Sequence, residues 1–212
     1  MKNKISILLF IGIMLVQTIF TQNIQLPAPD RKGGVPLMKA LNDRQTSREF
    51  SEKELSLQDL SDFCWAAWGF NRDDKRTAPS SQNKQEMDLY VVMAKGAYLY
   101  NAKDNQLIII NNNDIRASCG KQDFVAKAPV NFIYVANLEK RDVKAGTEIT
   151  AEHLIESKTN SGFMAQNVYL VAASKGLNCV VRGWIDADEC AKALVLKPMQ
   201  KVILGQTLGY KK

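Results

Sequence analysis

The stretch that most constrains this chain is Gly162 to Lys175, where Phe163, Met164, Ala165, Val168, Tyr169, Leu170, Val171, Ala172 and Ala173 leave almost no polar side for a helix. A helix apolar on most of its circumference has to be covered on several sides, by a core or by a second subunit. Gly176 is its expected C-terminal stop, because glycine enters the left-handed conformation without a Cβ clash. Surrounding such a helix takes a sizeable core, and a chain of 212 residues supplies one domain of that kind. With 46% apolar and 24% charged residues, disorder and fibrous repeats are excluded.

Other elements are arranged around this helix. Pro36 opens a short helix through Leu37, Met38 and Leu41, and Ser56 caps a second one whose apolar positions Leu60, Phe63, Cys64, Ala67 and Trp68 repeat at helical spacing. Residues 71 to 86 show no periodicity and read as a long loop, a length usually associated with function. Met87 to Ala94 and Ala97 to Asn101 flank Lys95-Gly96 as a hairpin, followed by a strand at Leu107 to Ile110. Asp114 is expected to open a short helix leading through Phe124, and Val130 to Ala136 is the most strand-like run. Leu177 to Val181 reads as a strand, Ala187 to Leu194 as a helix capped by Asp186, and Val202 to Leu208 as the last strand. Helices and strands interleaved without a regular βαβ repeat indicate an α+β domain.

Residues 1–21 have the form of a secretory signal: Lys2 and Lys4 precede an apolar run from Ile5 to Phe20. Cleavage near Thr21 is expected, with an uncleaved anchor as the alternative, so the chain is expected to be exported, to the periplasm. Residues 22–35 then form an extended arm and 36–212 the folded domain. Cys64, Cys119, Cys179 and Cys190 are scattered too widely for a small disulfide scaffold. The absence of any CxxC, together with a single histidine, His153, disfavours a metal cluster and leaves almost no room for imidazole-activated nucleophiles. The formal net charge is +6, but bases alternate with acids, as in Arg72-Asp73-Asp74-Lys75-Arg76, so a nucleic-acid partner is not expected.

Three ordered segments carry a resemblance to a known family. Arg44-Gln45-Thr46-Ser47-Arg48-Glu49-Phe50, Ala78-Pro79-Ser80-Ser81-Gln82-Asn83-Lys84-Gln85, and Gly162 to Trp184 resemble the motifs of the FMN-dependent nitroreductases. The overall likeness is to exported nitroreductase-like proteins of Bacteroidetes type, with partial resemblance to the azoline-oxidising branch. Gln45 and Thr46 stand where the family has Arg and Ser, so one positive charge is missing.

The resemblance implies a nitroreductase-like α/β/α sandwich with a mainly antiparallel central sheet, a homodimer, and FMN held between subunits. Arg44, Gln45, Thr46 and Arg48 would meet the phosphate or the N1/O2 side of the flavin, and Lys211, with Lys212 beside it, would also approach the phosphate. Pro79, Ser80, Ser81 and Asn83 would face the ribityl chain or ring edge, and the backbone at Arg182-Gly183 would approach N5. The implied activity is ping-pong hydride transfer through the flavin to a small electrophile, with NAD(P)H or another compound as electron donor. Two alternatives stand beside it, an azoline-type dehydrogenase acting on a modified peptide and an exported flavin-binding protein without turnover.

Overall fold

A computed structural model describes residues 22–212; the expected signal sequence lies outside the described residues. In chain order the elements are β1 (Ile24–Gln25), α1 (Leu37–Asp43), α2 (Leu57–Trp68), β2 (Phe70–Arg72), β3 (Lys75–Arg76), β4 (Met87–Met93), β5 (Gly96–Asn101), β6 (Gln106–Asn111), β7 (Val130–Asn137), α3 (Ile155–Lys175), β8 (Asn178–Arg182), α4 (Ala187–Ala193) and β9 (Gln200–Gly209). Seven strands form one sheet in the order β1-β6-β5-β4-β7-β9-β8, and each pairing in it is antiparallel.

The two central strands show why helices cover both faces. Along β4, Leu89 and Val91 enter one core while Tyr90 and Val92 enter the other, and along β7 Phe132 and Tyr134 part from Ile133 and Val135 in the same way. Side chains that alternate between two apolar faces require cover on each. The larger core is closed by Leu60, Phe63 and Cys64 of α2 and by Met164, Ala165 and Val168 of α3. The smaller is closed by Cys190 of α4, by Leu194 just after it, and by Cys119 and Val125 of the β6–β7 connection.

Ser56 caps α2 by accepting the Asp59 N–H at 3.0 Å, and Asp186 caps α4 by accepting that of Glu189 at 3.1 Å. Gly176 ends α3 at φ 68°. That helix begins at Ile155, earlier than its apolar run, because Ser157 and Asn160 are buried on hydrogen bonds to Glu86 (3.0 and 2.8 Å) rather than on apolar contacts. Nor is it covered all round within one chain, since Phe163 is 44% exposed.

Three expectations need correction. The segment 71–86 is not one long loop: β2 and β3 form a hairpin, and a 3-10 turn follows at Ser81–Asn83. The hairpin is too short and too polar to leave a periodic pattern. The helix expected from Asp114 through Phe124 is a single 3-10 turn, Arg116–Cys119, ended by Gly120. The arm expected at 22–35 contains β1, which pairs with β6. No helix among the described residues is long and apolar enough to cross a membrane.

Candidate functional site

After α1 the chain runs beside β8, the last strand of the sheet. Ser47 donates its N–H to the Cys179 carbonyl at 3.0 Å, and the Asn178 amide donates to the Glu49 carbonyl at 2.6 Å. This course carries Arg44 across the ring of Tyr169, 5.3 Å from guanidinium carbon to centroid. The Tyr169 hydroxyl accepts the Val181 N–H at 2.9 Å and lies 3.0 Å from Thr46 Oγ1, so one side chain ties the segment to α3 and β8. Arg44, Gln45 and Lys211 line a cavity of about 460 Å³ floored by Tyr169, Ala172 and Gly176.

Two cations therefore meet at one cavity. Asp43, also on its wall, is held by Lys39 at 2.7 Å, and that hydrogen bond keeps its carboxyl below the usual range. The C-terminal end of α3 also borders the cavity, and its dipole opposes an anion. Two of its carbonyls, Ala172 and Ala173, are already capped by the N–H groups of Leu177 and Gly176. Arg48 is exposed and does not line this cavity.

Pro79, Ser80 and Ser81 line a second cavity, of about 410 Å³, with Glu156, Thr159, Asn160 and Phe163 of α3. The loop behind them is strained and internally bonded: Gln82, Asn83 and Gln85 have φ of 53°, 54° and 50°, conformations that L residues adopt at a cost. Ser80 Oγ accepts the Gln85 N–H at 3.0 Å, and the Asn83 side chain is spent on the Asp74 carbonyl and the Gln85 amide (3.4 and 3.1 Å). Arg76 locks the base of the loop. Its Nε donates to Gln85 Oε1 and its Nη1 to the Trp68 carbonyl, each at 2.8 Å, with the rings of Trp68 and Phe70 on it at 5.1 and 3.9 Å. Burial pulls its pKa down to about 10.

The end of β8 divides its candidate residues differently. Arg182 is 2% exposed, and its guanidinium donates to Thr207 Oγ1 (2.9 Å), the Cys119 carbonyl (2.8 Å) and Asn131 Oδ1 (3.1 Å). Gly120 and Gly205 leave it room, since a Cβ on either would come within about 3 Å of the guanidinium. Its side chain is an interior strut, and burial lowers its pKa to about 10. Next to it Gly183 is exposed, and a Cβ built there would meet nothing within 4 Å. Trp184 is 63% exposed, so it is no core tryptophan.

The structure thus gathers Arg44, Gln45, Thr46 and Lys211, and separately Pro79, Ser80 and Ser81, at the two ends of α3. From Thr159 to Ala172 the helix rises by roughly 20 Å at ~1.5 Å per residue. From Leu177, in the cation cavity, β8 leads away toward Gly183 over about 20 Å of extended chain. A long ligand with an anion at one end and a flat polar-edged group at the other suits this spacing; a compact one does not. The donor set fits FMN on those terms, with cations and a neutral amide for the phosphate and open space at Gly183 for the ring.

Tyr169, Arg76 and Glu86 were not singled out from the sequence. Tyr169 had a usable signal, a hydroxyl needing a partner within an otherwise apolar helix. The other two depend on contacts distant in sequence.

A model of the nitroreductase family matches residues 41–210. The chain belongs to the nitroreductase family. A nitroreductase family member of this kind is an oxidoreductase of flavin type in general. Among solved structures, one from Ralstonia eutropha named as a nitroreductase is 37% identical, with a TM-score of 0.82 over 91% of this chain and 90% of that one. A protein of Methanocaldococcus jannaschii, also named as a nitroreductase, is 29% identical over 84% of this chain and 91% of its own length. A chain of the Escherichia coli microcin synthetase complex shares the nitroreductase fold at 15% identity and TM-score 0.65, covering 98% of this chain and 85% of that one.

Proposed function

We propose that this nitroreductase-family protein is an exported, FMN-dependent oxidoreductase that reduces a small electrophilic molecule. The observation that carries the reading is the pairing of the Arg44–Lys211 cavity with open backbone at Gly183, on one course along β8. When bound, FMN supplies hydride acceptance and donation. Arg44 and Lys211 would neutralise a phosphate of charge ~−2, with Gln45 as a neutral donor beside them. Thr46 and Tyr169 hold that rim in place, and Arg48 belongs to the site only through contacts beyond those of the single chain. The strained Ser80–Gln85 loop would present Pro79, Ser80 and Ser81 as a fixed edge, because its own amides are already bonded. A Cβ-free Gly183 would let a ring lie against main-chain atoms.

No side chain on this course is needed as an acid or base. A homodimer forms part of the proposal. Leu37, Met38 and Leu41 of α1 are 63, 74 and 45% exposed, and Phe163 beside the Ser80 cavity adds apolar surface that a second copy would cover. Light scattering checks this, with a flavin-loaded species of monomer mass as the contrary result. For the function itself the purified chain should be yellow, and the bound flavin should bleach with a nicotinamide or artificial donor and recover with a nitroaromatic or quinone. Colourless protein that takes up no added FMN would sink the reading. An oxidation of azoline peptides in the same assay, without nitroaromatic turnover, would move the substrate to the alternative class.

A further inference from the structure

The smaller core holds two sulfurs that the flavin reading leaves unused. Cys119 closes the 3-10 turn at 116–119 and Cys190 lies in α4; both are 0% exposed, and their Sγ atoms are 3.9 Å apart. Cys64 and Cys179 belong to the larger core on the other face of the sheet, where Cys179 Sγ takes a hydrogen bond from Gln206 Nε2 at 3.0 Å. Cys119 and Cys190 alone among the described cysteines stand in sulfur-to-sulfur contact.

We propose that Cys119 and Cys190 form a disulfide site, closed while the chain folds in the presence of an exchangeable disulfide. The sulfurs must approach by roughly 2 Å to reach a bond of ~2.05 Å, with the turn and α4 already packed on each other. The thiolate of one cysteine attacks the external disulfide and releases one of its halves as a thiol. The second cysteine's thiolate then displaces the other half, so one S–S bond forms, one breaks, and the two cysteine protons leave with the released thiols. The external disulfide is the oxidant and is reduced. The hydrogen bond shared with Cys190, which holds the Cys119 proton in place, burial and the charge repulsion of a second thiolate raise the Cys119 thiol far above its ordinary range, although the Arg182 guanidinium pulls the other way. Exchange therefore belongs to folding, before the core closes, and the finished bond is sealed from reductants.

This site is independent of the flavin reading. Its bond would join the segments on either side of β7, α3 and β8, and brace the corner where the Lys121 N–H meets the Trp184 carbonyl at 3.2 Å. Closing so long a loop should raise the melting temperature by roughly 10 °C.

The test uses the full chain, unfolded with reductant and refolded either in a reduced and oxidised glutathione mixture or in dithiothreitol. Alkylation in denaturant counts free thiols, and peptide mapping without reduction locates the bond. In the glutathione arm Cys64 and Cys179 should alkylate and a Cys119–Cys190 linked peptide should appear; in dithiothreitol all four cysteines should alkylate. The melting difference between the arms should persist in Cys64→Ser and vanish in Cys119→Ser and Cys190→Ser. Four free thiols after glutathione refolding, or a linked peptide joining any other pair, overturns the assignment. Those results are read on the parent chain, so a variant that fails to fold does not blur them.

Discussion

Arg44 and Arg182 are two arginines of one proposed site, and the fold treats them in opposite ways. Arg44 stands at a cavity rim over the Tyr169 ring, and its guanidinium donates to no acceptor among the described residues. Arg182 is buried and spends its donors on three neutral acceptors. An arginine facing a cavity with donors to spare binds ligands; one saturated inside the core holds strands and turns together. The difference lies in strand parity. Along β8, Val180 and Arg182 point to the same face and Val181 to the other, so Arg182 shares its side with the smaller core. Only the main chain at the strand end, with Gly183, is left to meet a ligand.

Substitutions should separate the two regions. Arg182→Ala should have the largest effect, on stability: about 3 kcal/mol is lost as a buried hub vanishes and its acceptors go unpaired, read as a lowered denaturant midpoint. Arg44→Ala should leave that midpoint within ~0.5 kcal/mol but weaken FMN binding by ~1.5–3 kcal/mol, roughly 10- to 150-fold by fluorescence titration. Should Arg44→Ala destabilise the fold more than Arg182→Ala does, the contrast fails. Gly183→Val should keep the fold, since its Cβ meets open space, yet lower flavin affinity or the bleaching rate by about tenfold (~1.4 kcal/mol). Parental affinity and bleaching would separate this strand end from the flavin.

The smallest effect is electrostatic and concerns the last turn of α3, where it packs on α2. Lys175 bridges Asp59 and Asp62 at 2.9 and 2.6 Å. Burial works against charge, but the hydrogen bonds prevail, leaving the Lys175 pKa raised and that of Asp59 lowered. The Asp59 contribution is present above its unfolded value of 3.8 and fades as pH falls through its lower folded value; that of Lys175 is present below 10.5 and fades as pH rises through its higher one. Thermal stability should thus be flat in between, read as a melting temperature that holds steady between those limits and falls beyond either of them.

Much of this was legible in the sequence because it is written locally. The caps at Ser56 and Asp186, the glycine stop after α3 and the β4–β5 hairpin around Lys95-Gly96 each follow from residues a few positions apart. The start of α3 was not legible, because Ser157 and Asn160 owe their burial to Glu86, far away in sequence. The β2–β3 hairpin was hidden for a similar reason, being held by Arg76 between Trp68 and Phe70 rather than by its own pattern. At the site, residue identity pointed to Arg44 and Lys211, but sequence could not say that Asn83 is consumed inside its own loop or that the Arg182 side chain turns inward. Those outcomes depend on strand parity and on where distant acceptors lie.

The arm carrying β1 bears on how the molecule assembles. Its carbonyls and N–H groups are received by residues made much later: the Asp30 N–H by Asp62, and the Pro27 carbonyl by Ser61 and Asn105, while β1 itself waits for β6. A chain emerging from its N-terminus first must keep this arm unpaired until the β5–β6 hairpin exists. Until it docks, β6 is a bare edge at Gln106 and Leu107, where β1 pairs, and at Ile109, whose N–H the Asn23 side chain accepts, the kind of template on which neighbouring chains pair and aggregate. The earliest of the described segments is thus among the last to settle, and its short strand covers one end of the sheet's edge against other copies of the chain.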